Sequence, residues 1–398
     1  MSWVDLGRPL TVAAAILILL PLAVLLYAYL LYPAVIWIAA RLRHHPLPES
    51  DPAEWPEITI TLPAYNEERA IAATIESLLV LDYPTDRRHV VVVSDASTDG
   101  TDEVVGRYAD RGVRLIRLAR RSGKTAAENA AAEQVRGNIV VNTDASVRIL
   151  PGSLKPLIRV FQDPRIGVAS GRDVSVGAVD QEANRGESGY VGFEMWLRSL
   201  ETRAGSIVGA SGCFYANRRE LYDVLFPAAL SRDFAAALNA VEQGYRAVSV
   251  EEAVCLVPRA LSLRAEFRRK VRTMTRGLET LWYKRRVFRL GGSLFAFQLL
   301  SHKLIRWLGF PLLPLLPLGL GLLAVDHAWA RWALLGVLGG LLLGGAAYLW
   351  PGERRPPLLL ALPGFVVGST VAGVLAWARA VRGELDPIWE PTRRPPAA

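Results

Sequence analysis

Residues 138–149 read NIVVNTDASVRI. Ile139, Val140 and Val141 make a short apolar run of strand length, and the chain then meets one acid, Asp144, followed by Ala145 and Ser146. An acid at the end of a strand is placed to meet a metal or a phosphate. Such sites commonly carry a second acid two residues on, and here that position is Ser146.

Upstream, strand and helix patterns alternate. Residues 57–62 (EITITL), 89–93 (HVVVV), 113–118 and 138–141 read as strands, and 68–79, 101–110 and 125–136 as helices. That βαβαβαβ order predicts an α/β domain, a mostly parallel sheet with helices on both faces. Ligands of such sheets bind beyond the carboxyl ends of the strands. Three strands there run into polar clusters: 63–67 (PAYNE), 94–100 (SDASTDG) and 142–146 (NTDAS). Each alone reads equally well as a turn or a helix start, Ser97, Thr98 and Asp99 being good N-caps. Three on one edge converge on a site. Neither GxGxxG nor GxxxxGK[ST] occurs, so phosphates must be held by a metal and basic side chains.

The bulk composition divides the chain. It is 51% hydrophobic yet 21% charged over 398 residues, and the apolar residues gather at the two ends. Residues 11–40 carry no charge, which predicts a transmembrane helix rather than the shorter core of a signal peptide. Further apolar segments lie at 308–325, 332–350 and 357–378. Cys213 and Cys255 form no disulfide framework and no metal spacing, which fits a reducing cytoplasm.

The net charge of +8 is local: residues 264–289 hold ten Lys/Arg and two Glu. Beside a membrane segment, that block predicts contact with anionic lipid headgroups or a diphosphate, and no nucleic-acid partner. Arg41, Arg43, His44 and His45 after the first span put the soluble part on the cytoplasmic side. Three C-terminal spans would leave Arg379, Arg382, Arg393 and Arg394 outside; two would return the tail to the cytoplasm. The segment with Pro311, Pro314 and Pro317 is the candidate for a re-entrant element. In 190–200, Tyr190, Phe193, Leu197 and Leu200 share one helical face, for core packing or for lying on the bilayer.

The motifs resemble those of the family 2 glycosyltransferases, GT-A fold (Rossmann-like) enzymes using nucleotide-diphosphate sugars, in particular the membrane-embedded branch of cellulose, hyaluronan and poly-N-acetylglucosamine synthases. PAYNE (63–67) resembles the opening motif, and SDASTDGT (94–101) resembles DDGSTDGT with Ser94 for the first Asp. SGKTAAEN (122–129) resembles the GK…N segment, and TDAS (143–146) falls where DxD belongs. GASGCFYANRREL (209–221) resembles the acceptor-side loop and RDFAAALNAVEQGYRA (232–247) the segment of the catalytic base. RKVRT (269–273) sits at QxxRW, with Arg269 and Thr273 for the Gln and Trp.

The resemblance implies that Ala64, Tyr65, Glu67 and Asp95 cradle the base and ribose. Lys124 approaches the diphosphate, Asp144 holds the metal and sugar-nucleotide, Asp233 is the general base, and Arg272 meets the leaving group. Asp233 could otherwise cap the helix that follows it. The implied cofactor is Mg²⁺ or Mn²⁺. The implied partners are a nucleotide-sugar donor (a UDP-sugar being expected), a lipid-linked or glycan acceptor, and membrane lipids. The expected organisation is a membrane helix with its basic flank (1–45), a cytosolic GT-A domain (50–263), a basic interfacial segment (264–306), C-terminal membrane helices (307–380) and a tail (381–398), in the cytoplasmic membrane. Two other readings stay open: a polyprenyl-phosphate sugar synthase, whose phosphate acceptor needs no strong base, and a non-catalytic scaffold, supported only by Ser146.

Overall fold

The computed structural model describes residues 3–176, 185–258, 263–290, 292–350, 357–384 and 388. Arg354, Arg355, Arg393 and Arg394, and the side chain of Tyr190, lie outside what is described.

The strands are β1 (Ile58–Ala64), β2 (Arg88–Ser94), β3 (Val113–Arg117), β4 (Ile139–Thr143), β5 (Arg148–Ile149), β6 (Ile166–Val176), β7 (Phe214–Arg218) and β8 (Arg246–Pro258). They form one sheet in the order β3-β2-β1-β4-β7-β6-β8-β5. The expected parallel half is present: β2 and β4 flank β1, with Ile58 opposite both Arg88 and Ile139, and β3 lies outside β2. Beyond β4 the sheet is mixed. β7 is antiparallel to β4 and β6, β6 and β8 are parallel, and β5 closes the edge antiparallel.

Helices α1 (Trp3–Leu26) and α2 (Tyr32–Arg43) precede the sheet. Within it come α3 (Ile71–Leu79), α4 (Thr101–Gly106), α5 (Lys124–Ala131), α6 (Leu154–Arg159), α7 (Arg185–Ala204), α8 (Arg219–Tyr222) and α9 (Arg232–Glu242). The apolar run of β2 shows why helices cover both faces. Val90 and Val92 pack with Ile58, Ile60 and Leu62 of β1 and Ile71, Ile75 and Leu78 of α3. Val91 and Val93 point to the other side, against Ala127 and Ala131 of α5. A strand buried on both faces needs no polar alternation.

The C-terminal part is helical: α10 (Leu263–Tyr283), α11 (Val287–Leu290), α12 (Gly292–Leu299), α13 (Arg306–Leu312), α14 (Leu315–Ala324), α15 (Ala328–Leu349) and α16 (Leu358–Arg382). Three helices, Pro9–Arg43, Ala328–Leu349 and Leu358–Arg382, are long and apolar enough to cross a membrane. Gly292–Leu312 and Leu315–Ala324 make a fourth candidate, bent by 42°. The bend falls beside Pro314, where a proline in a helix removes a hydrogen bond and clashes with the preceding turn.

On the face of α7 that the sequence singled out, Leu197 and Leu200 are buried against Tyr32 and Ile36 of α2, part of the first candidate span. A buried ionic network pins the junction. The Tyr32 hydroxyl donates to Glu201 Oε1 at 2.5 Å, and His302 Nδ1 lies 2.6 Å from the same oxygen. Arg306 donates to Glu194 Oε2 at 2.6 Å.

Candidate active site

The first two polar clusters are laced together. The Thr98 amide donates to Asn66 Oδ1 at 2.8 Å, and the Glu67 amide to Thr101 Oγ1 at 2.8 Å. Asn66 (φ 52°) and Ala96 (φ 56°) take the left-handed backbone these turns require. Asp99 binds the Thr101 amide, the local start-of-helix role, while Ser97 and Thr98 hold the PAYNE loop. Ala64 closes β1 and is buried; its carbonyl accepts the Asp95 amide at 2.8 Å. Tyr65 lies next, with the Arg121 guanidinium 3.9 Å from its ring centroid. The carbonyl of Glu67 accepts the amides of Ala70 and Ile71 at the entry to α3.

Asp95 is buried, and both of its oxygens are used. They accept the amides of Ser122 (2.6 Å) and Gly123 (2.8 Å). Gly123 has φ 92°, in the region that favours glycine. Asp95 thus fixes the loop that launches Lys124 at the start of α5.

Lys124, Asp144 and Asp233, from three distant stretches, meet at the loop around Gly212. Lys124 Nζ donates to Asp144 Oδ1 at 2.5 Å and to the Gly212 carbonyl at 2.8 Å. Asp233 lies in the first turn of α9, whose N-cap is Ser231. Its Oδ1 accepts the Ser231 hydroxyl at 2.6 Å, and its Oδ2 would stand 3.0 Å from a Cβ built on Gly212. Asp233 therefore does not occupy the N-cap position of α9. Burial works against the charge on Lys124, but the carboxylates of Asp144, Glu128 and Asp233 outweigh it and hold its pKa above the ordinary lysine value. The lysine stays cationic beside the carboxylate of Asp144.

Arg232, preceding Asp233, is buried and turned away. It bonds Asn129 Oδ1 of the GK…N segment and the Tyr222 carbonyl. Arg272 lines a small cavity of about 20 Å³ with Ala229, Arg276, Glu279, Arg379 and Glu384. On the same helix lies Arg276, whose Nη2 donates to Thr125 Oγ1 (2.9 Å) and the Leu230 carbonyl (2.5 Å). Its only advance signal was its place one turn after Arg272 in the basic block. Sequence reasoning also missed Gly212, and Asp173, which accepts the Ser211 hydroxyl at 2.6 Å beside the same loop.

Among the described residues, no three His, Cys, Asp or Glu side chains converge as metal ligands. The donor set at the strand edge is Asp144. That suits a hard divalent ion whose remaining oxygens come from a diphosphate and water, since Mg²⁺ usually takes only one or two protein carboxylates.

The parallel-to-mixed sheet with polar strand ends is that of the GT-A class. The solved mannosyltransferase PcManGT from Pyrobaculum calidifontis, in complex with GDP-Man and Mn²⁺, superposes with a TM-score of 0.70, covering 94% of this chain and 99% of its own, at 24% sequence identity. Residues 59–226 match the model of glycosyl transferase family 2. A beta-monoglucosyldiacylglycerol synthase of Nostoc sp. is 26% identical over 42% of this chain and 37% of its own length. An N-acetylglucosaminyltransferase of Rhizobium sp. is 27% identical over 51% of this chain and 48% of its own. The chain thus spans between a third and a half of the length of these relatives.

Proposed function

We propose that the protein is a membrane-bound, inverting glycosyltransferase that moves a sugar from a nucleotide-diphosphate donor, a UDP-sugar first, to a lipid-linked or glycan acceptor. The observation that carries this reading is the meeting of Lys124, Asp144 and Asp233 at one loop beyond the strand ends. In this reading Ala64, Tyr65 and Glu67 line the nucleoside side, Asp95 holds the Lys124 loop, and Asp233 removes the proton of the acceptor hydroxyl as it attacks the anomeric carbon. General-base help of this kind contributes on the order of 10²–10⁴-fold. The bond to the diphosphate breaks on the opposite face, so configuration inverts. Lys124 meets the negative charge that develops there. A bound Mg²⁺ or Mn²⁺, held by Asp144, would add electrostatic stabilisation of the same leaving group. From α10, Arg272 meets the leaving group and Arg276 supports the loop before α9.

The helices of mean-apolar composition at 1–45 and 307–380 anchor the domain (50–263) on the cytoplasmic side, with the basic segment 264–306 against the bilayer. The test is a screen of the purified full chain in membranes against a panel of nucleotide sugars, reading both hydrolysis and transfer to extracted lipid. Turnover of one donor with an inverted product supports the reading. Nucleotide binding with no turnover of any donor would leave a scaffold instead.

A further inference from the structure

The loop 211–213 lies between two strands that run the same way. β4 and β6 are both antiparallel to β7, with Thr143 opposite Phe214 and Ser170 opposite Tyr215. The loop before Phe214 therefore rises between their carboxyl ends. From the β4 side, the Thr143 hydroxyl donates to the Cys213 carbonyl at 2.9 Å. From the β6 side, Ser170 Oγ accepts the Ser211 amide at 2.8 Å. Asp173 is a third hold, and none of the sequence motifs contains it.

The strand is shaped to deliver it. A Cβ on Gly171 would come within 2.5 Å of Phe214 Cδ1 and 2.8 Å of the Ala253 carbonyl, so glycine lets β6 lie this close to both neighbours. The pairing of β6 with β8 slips between Ser170 and Arg172 and then sets Asp173 opposite Cys255. Such irregularities re-aim the side chains beside them. Asp173 Oδ1 accepts the Ser211 hydroxyl at 2.6 Å and the Cys255 thiol at 3.3 Å. A serine hydroxyl has one proton. With that proton given to Asp173, the Ser211 oxygen is left to accept the Cys213 amide, 3.1 Å away. That bond closes a turn around Gly212, whose carbonyl accepts Lys124 Nζ at 2.8 Å. Asp173 thus reaches Lys124 through two residues.

We infer that Asp173 is a positioning residue of the transfer site: through Ser211 and the Gly212 carbonyl it sets where Lys124 meets the diphosphate. This rests on the transferase reading, in which Lys124 faces the leaving group. What Asp173 contributes is an acceptor oxygen rather than a charge. Without that acceptor the Ser211 proton turns elsewhere, the turn around Gly212 loosens, and the ammonium is no longer aimed.

The experiment measures binding of UDP with Mn²⁺ to the full chain in nanodiscs, and compares Asp173→Asn with Asp173→Leu. Both remove the charge and are close in size, so their difference reads the acceptor oxygen alone. Asp173→Leu should bind UDP about tenfold more weakly than Asp173→Asn, the worth of about one hydrogen bond. Ser211→Ala, which cuts the same link, should weaken binding as Asp173→Leu does. In a Lys124→Gln background the Asn and Leu variants should bind UDP equally, a result that poor folding of the Leu variant would not give. Equal binding by the two with Lys124 present, or the same gap between them with Lys124 replaced, overturns the inference. Lys124→Gln binding UDP as tightly as wild type would remove the lysine from the diphosphate, and the inference with it. A gap that vanishes with Lys124, but no sugar transfer from any donor, would sustain the positioning role and sink the transferase reading.

Discussion

Glu128 is buried in α5, and neither carboxylate oxygen has a hydrogen-bond partner. Burial raises its pKa above the ordinary glutamate value, against the lowering by Lys124 and Arg232. The sign of the linkage follows. A folded-state pKa above the unfolded one means that stability is fully present below the ordinary carboxylate range and is lost as pH rises toward the raised value. Each tenfold by which the fold suppresses ionisation costs about 1.4 kcal/mol above that window. Glu128→Gln, close in shape and never charged, should therefore unfold like wild type at low pH and at higher temperature than wild type once pH exceeds that window. Thermal unfolding across pH checks this; a variant less stable at every pH would mean that the carboxylate is charged and paired in the fold.

Asp233 and Ser146 carry the catalytic tests at the same scale. Asp233→Asn should abolish transfer, by about 10²–10⁴-fold, while leaving nucleotide affinity near wild type, because the base acts on the acceptor. Wild-type transfer rates would favour a phosphate nucleophile instead. With Asp144 the donor at its strand end, metal and nucleotide should bind together, each raising the other's affinity. A Mn²⁺ titration with and without UDP, on wild type and Ser146→Asp, reads this. Added carboxylate should tighten metal binding to the nucleotide-free protein; tight binding by wild type without nucleotide would mean that another residue completes the site. Asp144 was legible as the acid ending an apolar strand, and Lys124 and Asp233 only through the motifs they share with a known family. Glu128 was not: a glutamate in an Ala-rich helix looks solvated until the sheet covers it.

At the scale of elements, the loop 209–213 matters more than its small residues suggested. Gly212 offers its carbonyl to Lys124 and leaves room for Asp233. Its backbone is not left-handed, so alanine folds without strain there, but the new Cβ would meet Asp233 Oδ2 at 3.0 Å. Gly212→Ala should cost on the order of 10²-fold in transfer, as small misplacements of reacting groups do, with nucleotide binding and unfolding temperature near wild type. Unchanged transfer would show that Asp233 has slack. The parallel strands β1 to β4 were readable because burial on both faces leaves uniform apolar runs. β6 and β8 were not, since Arg172, Asp173 and Ser175 in one and Glu251 and Glu252 in the other break any such run. β7 hid inside a loop motif. Likewise the contacts of Arg276 with Thr125 and Leu230 depend on which face of α10 packs there, which composition does not reveal.

At the scale of the whole molecule, that packing bears on the topology the charges left open. α10 and α16 run side by side in the same direction. Lys270 meets Ser369, the Met274 side chain lies near Gly373, and Arg272 and Arg276 share a cavity with Arg379. The far end of α16 therefore comes to Ala229, in the loop that leads to Asp233. That places Arg379 beside the loop that leads to Asp233, and two C-terminal crossings rather than three are expected to give the positive-inside sign. Leu42, at the end of the first candidate span, is 80% exposed, and Val381, at the end of α16, is 81% exposed. Leu42→Cys and Val381→Cys should both react with a membrane-impermeant maleimide from the side on which the catalytic domain is protease-accessible. Cys213 and Cys255 are first replaced by alanine so that only the introduced thiol is read. Labelling of Val381→Cys from the opposite side would mean that α16 leaves the domain face after Ala376, and the shared cavity of Arg272 and Arg379 would have to open in the bilayer.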